Sequence, residues 1–146
     1  MENETDWLAV YQSSLYAFAH GPNWLRFSLE GDGPVHDLDG SLTLISAWNP
    51  MSEEHPLPWN RAANARLLRQ LVAEGVPWGP AWGSSLPGVE PSWKEDGFVL
   101  FNQTSDAVAA LGKQWGQRAL VHLEQGKAYL LFCEEARLHP CGFRPR

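Results

Sequence analysis

Lysine is scarce in this chain: 3 of its 11 basic residues are Lys, against 17 acidic residues, for a formal net charge of −6. Duplex affinity comes mainly from neutralising phosphates, so no binding of duplex nucleic acid is expected. Cysteine is sparse as well, with 2 in 146 residues. Cys133 and Cys141 provide no disulfide framework and are read as reduced thiols. Long apolar runs are missing: nothing approaches the roughly 20 residues that cross a bilayer, and no contact with a membrane is expected. The opening MENETDWLAVYQ has neither the positive segment nor the apolar stretch of a signal peptide, which predicts a cytoplasmic protein. The Gly-x-Ser-x-Gly elbow, the His-Glu-x-x-His pair and the Walker sequence are all absent, so the chain offers none of the familiar hydrolase, metalloprotease or P-loop signatures, and no cofactor is expected. Cys133, His139 and Cys141 do not have a standard zinc spacing, and no metal site is assigned. His20, His36, His55 and His122 are isolated, and His122 reads as a structural residue on a strand.

What remains is an ordinary globular composition, 44% apolar and 19% charged, at a length that suits one domain. The pattern predicts a single α+β domain over 1–146: a mixed sheet of about five to six strands with three packed helices, a core over about 7–133 and an irregular tail over 134–146. Asp6 suits the cap of a first helix in which Trp7, Val10, Tyr11, Leu15 and Phe18 follow at helical spacing, with an end near His20-Gly21-Pro22. Trp24 to Leu29 and Leu42 to Trp48 read as strands that pair across a wide hairpin. Pro58 to Glu74 is the clearest helix; Leu67, Leu68 and Leu71 mark its buried face, Arg66 and Arg69 the opposite one. Pro77 to Trp82 reads as a short strand followed by loop, Gly97 to Asn102 as a strand, and Thr104 to Trp115 as a helix ended by Gly116. Gln117 to Leu123 and Lys127 to Cys133 form a hairpin through the Glu-Gln-Gly-Lys turn. The tail holds Pro140, Gly142 and Pro145 and reads as irregular.

Tyr11, Ser46-Ala47-Trp48-Asn49-Pro50, Asn60 with Asn64 and Leu67, Trp93-Lys94-Glu95, and Gly116-Gln117-Arg118-Ala119 form an ordered series along the chain. Together they resemble a bacterial family, domain of unknown function 3293. They occur in the family's order over roughly residues 7–132. Ser46 stands where that pattern has Thr, and Ala63 where it often has Arg. The resemblance implies a shared pattern across the chain and supplies no reaction.

The candidate site follows from where the side-chain amides fall. Asn49 follows a strand end, Asn60 and Asn64 lie on the buried stripe of the clearest helix, Asn102 ends a strand and Gln117 opens one. An amide buried on a helix must find partners for both its donor and its acceptor. Two readings stay open. In the first, Asn49, Asn60, Asn64 and Gln117, with Trp48 and Trp93, line a pocket for a small polar ligand such as a nucleobase, an amide or a sugar, and Glu95 beside Trp93 is the candidate catalytic base. Glu95 and Asp96 point to opposite faces of a strand, so only one of them enters a pocket. In the second, the amides serve only the backbone, and the chain is a non-catalytic interaction module that meets a protein partner through Trp78 and Trp82 in the Trp-rich loop 77–93.

Overall fold

The computed structural model describes residues 4–35 and 38–146, with side chains described from Trp7 onward. The Asp6 side chain and His36 lie outside the described residues. Along the chain the elements are α1 (Glu4–Gln12), β1 (Ser14–His20), β2 (Asn23–Ser28), β3 (Ser41–Ile45), α2 (Leu57–Ala73), β4 (Trp78–Ser85), β5 (Lys94–Phe101), α3 (Ser105–Gln114), β6 (Ala119–Glu124), β7 (Lys127–Phe132), β8 (Arg137–Cys141) and β9 (Arg144–Pro145). A short 3-10 turn spans Pro50–Ser52.

The strands form one nine-stranded sheet in the order β8-β7-β6-β3-β5-β4-β1-β2-β9, curled into a half-barrel. Every adjacent pair is antiparallel. The architecture is α+β, but the expectation of a mixed sheet with five to six strands is overturned, for three reasons. Ser14–His20 is a strand and not the end of the first helix: Tyr16 and Phe18 alternate onto one face, a period-two pattern that helical spacing from Tyr11 had masked. β3 does not pair with β2; it lies between β5 and β6. The tail is ordered into β8 and β9, which occupy the two edges of the sheet, where a proline removes no ladder bond from an inner strand.

At the centre, β3-α2-β4-β5-α3-β6 takes the strand order β6-β3-β5-β4, the arrangement of a ferredoxin-like split βαβ repeat. Each helical crossover joins strands of the same direction, and the intervening strand is always antiparallel to both. Both helices pack on one face. The α2 stripe Asn60, Ala63, Asn64, Leu67 and Leu71 is buried, and Leu67 and Leu71 join Val108 and Ala109 of α3 over Ile45, Leu100, Leu120 and Leu131 of the sheet. Arg66 and Arg69 are exposed, as the periodicity predicts. Thr104 caps α3, its hydroxyl accepting from the Ala107 N–H at 3.1 Å.

The opposite face carries a second core of Tyr16, Phe18, Phe27, Leu42, Val99, Val121 and Leu123. Curling of the sheet and the aromatic contact of Phe143 on Phe27 (5.1 Å, stacked) close part of it. His122, completely buried on β6, is 2.7 Å from the Thr43 hydroxyl through Nδ1, and burial lowers its pKa.

The helix-side core is tight enough to reverse a familiar substitution effect. A Cβ at Gly112 in α3 would stand 2.6 Å from Cys133 Sγ and 3.0 Å from Leu120 Cδ1. On an exposed helix Gly→Ala gains about 1 kcal/mol. Here Gly112→Ala is expected to lose about 1–3 kcal/mol by overpacking, measured by urea unfolding; a gain would show that this layer has slack.

Candidate functional site

The chain leaves β3 at Ile45 and makes an expensive turn. Asn49, Met51 and Ser52 all have left-handed backbone, with φ of 43°, 56° and 61°. Such conformations cost about 1–3 kcal/mol each for residues other than glycine and persist only when their surroundings hold them. Polar contacts from two distant segments do so here. The Asn49 N–H donates to Asn60 Oδ1 at 2.9 Å, and Asn60 Nδ2 donates back to Asn49 Oδ1 at 2.9 Å. Asn49 Oδ1 also accepts from the His55 N–H, and Asn60 Nδ2 also donates to the His55 carbonyl. From the other side the Met51 N–H donates to the Gly116 carbonyl at 2.6 Å, and Gln117 Nε2 donates to the carbonyls of Trp48 and Trp115. Gly116 has φ of 74°, and a Cβ there would collide with Pro50.

One turn further along α2, Asn64 Oδ1 accepts from the Ala47 N–H at 2.7 Å and Asn64 Nδ2 donates to the Asp96 carbonyl at 2.8 Å. It bridges the ends of β3 and β5, where the ladder itself stops. Asn60 and Asn64 thus hold backbone and do not line the cavity described next. Asn49 and Gln117 spend only one half of each amide, which leaves Asn49 Nδ2 and Gln117 Oε1 without a protein partner among the described residues.

Beside this turn lies a cavity of about 370 Å³ on the sheet face opposite α2 and α3. Its wall takes Trp7 and Tyr11 from α1, Tyr16 from β1, Trp48 and Asn49 from the turn, Trp93 and Glu95 at the start of β5, and Gln117 and Arg118 before β6. Glu95 is paired with Gly83 on β4, a neighbour without a side chain. Glu95 is half-buried in the cavity wall; Asp96, next along the strand, is exposed but also touches the cavity, so the expectation that only one of the two reaches it does not hold in full. Burial pushes the Glu95 carboxyl up to about 7. Among the described residues it makes no hydrogen bond or ion pair. Burial also pushes the phenols of Tyr11 and Tyr16 well above their ordinary value; both stay neutral, and the Tyr16 hydroxyl donates to the Tyr11 carbonyl at 3.0 Å.

Arg118 completes the wall. Its Nε donates to Ser52 Oγ at 3.2 Å, its Nη2 to the Met51 carbonyl at 3.3 Å, and its Cζ lies 4.8 Å from the Trp7 ring centre.

Of the residues singled out from sequence, the structure gathers Trp48, Asn49, Trp93, Glu95 and Gln117 around one cavity and sets Asn60 and Asn64 behind it. Trp78 and Trp82 lie on strand β4, in line with the short strand expected over Pro77 to Trp82, and the strand continues to Ser85 where loop was expected: Trp78 is 40% exposed beside Phe98, whereas Trp82 is covered by Lys94 and Arg26 at 5.0 and 5.6 Å. Trp7, Tyr11, Tyr16 and Arg118 were not foreseen as wall residues. Tyr11 and Arg118 belong to segments that carry the family resemblance, but Tyr16 was hidden by the helical reading of its segment. Cys133 is buried, its thiol pushed up to about 12, and among the described residues no three His, Cys, Asp or Glu side chains stand together as metal ligands.

Two outcomes follow from this geometry. Asn60→Leu and Asn64→Leu each strand buried backbone groups and are expected to cost about 1–3 kcal/mol; urea midpoints equal to the parent's would show that neither amide holds the turn. Glu95 binds its proton more tightly folded than unfolded, so its contribution to stability is complete below the ordinary carboxylate pKa near 4.5 and is lost as pH rises through about 7. Glu95→Gln should therefore match the parent near pH 4 and exceed it at pH 8 by on the order of 2 kcal/mol. Parallel pH–stability curves for the two proteins would contradict the assignment.

No curated protein matches the chain, and no solved structure matches it. No helix among the described residues is long and apolar enough to cross a membrane. One family does match, over residues 45–120, just over half of the chain and the stretch that contains the turn, both asparagines of α2, Glu95 and the Gly116-Gln117-Arg118 segment. The chain belongs to the family described as Protein of unknown function (DUF3293).

Proposed function

We propose that the cavity on the sheet face away from α2 and α3 binds a small, flat molecule with a hydrogen-bonding edge, such as a nucleobase or another amide-bearing compound, and that Glu95 meets that edge. The observation that carries this reading is the Glu95 carboxyl, set in an aromatic wall without a protein partner among the described residues. A protonated carboxyl offers one donor and one acceptor side by side, which complements an amide or nucleobase edge. Asn49 Nδ2 and Gln117 Oε1 add one donor and one acceptor. The rings of Trp48, Trp93, Tyr11 and Tyr16 supply flat apolar surface, the usual composition of a small-molecule site.

The same carboxyl suits proton transfer. A group that titrates near neutral pH can both take and return a proton under working conditions, the property that general acid–base catalysis needs. Glu95 is the candidate for that role. The competing reading, a protein contact through Trp78 and Trp82, is supported by the exposure of Trp78 and weakened by the two cations that cover Trp82.

A thermal-shift panel of nucleobases, nucleosides, amides and sugars at pH 6 tests the proposal, because a ligand that binds only the folded chain raises its Tm. Compounds that raise Tm should keep most of their effect in Glu95→Gln, which preserves a donor and an acceptor, and lose it in Glu95→Leu. Equal shifts in the parent and Glu95→Leu would remove Glu95 from the binding edge.

A further inference from the structure

We propose that the ligand of this cavity is a planar monocarboxylic acid whose carboxylate is received by Arg118. The inference rests on the small-ligand reading above and adds the charge and class of the ligand. Its basis is an arginine in the cavity wall that is held by neutral contacts and has no acid against it among the described residues. Arg146 pairs with Glu30, and Lys113 pairs with Glu134. Arg118 has no acidic partner among the described residues; the exposed Arg61, Arg66 and Arg69 share that property, but Arg118 is the one of these that lines the cavity.

What Arg118 does contact is neutral. The Ser52 hydroxyl and the Met51 carbonyl each accept one of its N–H groups, and the Trp7 ring lies against its plane. A guanidinium carries five N–H donors, so three remain, on the Nη1 and Nη2 end. That end has the fork geometry that receives a carboxylate through two parallel hydrogen bonds. The three contacts also hold the side chain before any ligand arrives, which lowers the entropy that binding must spend.

The opposite charge is kept away from it within the same wall. Glu95 and Arg118 both line the cavity, and they make no ion pair with each other. Had they paired, each would cancel the other and the cavity would favour a neutral guest. Apart, they give a cavity with a fixed cation in one part of its wall and a carboxyl that holds its proton up to about pH 7 in another. Tyr11 lies within the influence of both, with Glu95 acting to raise its pKa and Arg118 to lower it.

Size and charge count narrow the class. The volume of about 370 Å³ is near the low end for ligand sites, which run from about 300 to 1,000 Å³. It favours a single ring over a nucleotide. Arg118 is the one cationic side chain in the described wall. One guanidinium matches one carboxylate, whereas a phosphate monoester with close to two charges would call for a second cation.

Isothermal titration of the full chain at pH 6 and low salt distinguishes the cases, with nicotinate and 4-hydroxybenzoate as acids, nicotinamide and 4-hydroxybenzamide as their neutral counterparts, and AMP as the phosphate probe. At least one acid is expected to bind about tenfold or more tightly than its amide, the discrimination that a charge-assisted pair supplies. In Arg118→Gln the acid-to-amide ratio should fall to near unity, and Arg118→Lys should restore part of it; circular dichroism and Tm of both variants establish that they are folded. Equal affinity of acid and amide for the parent chain overturns this inference and leaves the small-ligand reading standing. AMP binding that exceeds every acid and depends on Arg118 overturns the carboxylate class. No heat from any of the five probes overturns the inference, and only an equally empty thermal-shift panel carries that failure to the broader reading.

Discussion

A turn with three left-handed residues other than glycine will not form on hydrophobic contact alone, because apolar packing cannot choose between backbone conformations that differ by a hydrogen bond. The reciprocal amide pair of Asn49 and Asn60 makes that choice at the end of β3. Asn60 sits in the first turn of α2, so the same pair also sets where the helix begins relative to the strand. Gly116 and Gln117 fix the other side of the turn, and Arg118 reaches back to Met51 and Ser52. The turn, the start of α2 and the distant Gly116–Arg118 stretch are thereby tied to one another before any ligand is considered. The family's match over residues 45–120 begins just before the first of them and ends just after the last.

The topology explains why the cavity opens where it does. Both crossover helices of the central unit cover one face of the sheet, and the other face must be covered by something else. Curling of the added strands closes part of it, and α1 is laid over the part beside the turn. Trp7 and Tyr11 bridge the remaining distance without filling it, and Gly83 leaves space across from Glu95. An acid in such a place has little water to stabilise its charge. Its raised pKa follows from the architecture, with no neighbouring carboxylate needed.

Much of this was legible in the residues, and the parts that were not have physical causes. The α2 stripe through Leu67 and Leu71 was clear because helical period and apolar spacing agree over four turns. The β6–β7 hairpin was clear because Gln125-Gly126 can both take positive φ, at 50° and 75°, as its tight turn requires. Ser14–His20 was ambiguous because Tyr11, Leu15 and Phe18 satisfy helical spacing as well as Tyr16 and Phe18 satisfy strand alternation. β8 and β9 were missed because their prolines argue against a strand in general, though not at a sheet edge. The amides were legible as buried polar groups, but sequence does not say whether such a group faces backbone or cavity. That depends on where β3 ends relative to α2, a matter of long-range register. Arg118 stood in plain view beside Gln117, and only its place in the cavity wall, held by neutral contacts, marks it out among the basic residues.

The account depends most directly on the state of one carboxyl group. A carbon-13 NMR titration of the glutamate side-chain carboxyls between pH 4 and 9, with Glu95 assigned as the resonance missing from Glu95→Gln, measures that state without a ligand. The Glu95 resonance is expected to move near pH 7. A Glu95 resonance that moves instead near the ordinary carboxylate value of about 4.3 would mean that the carboxyl is solvated and charged, and that the cavity wall holds no protonated carboxyl.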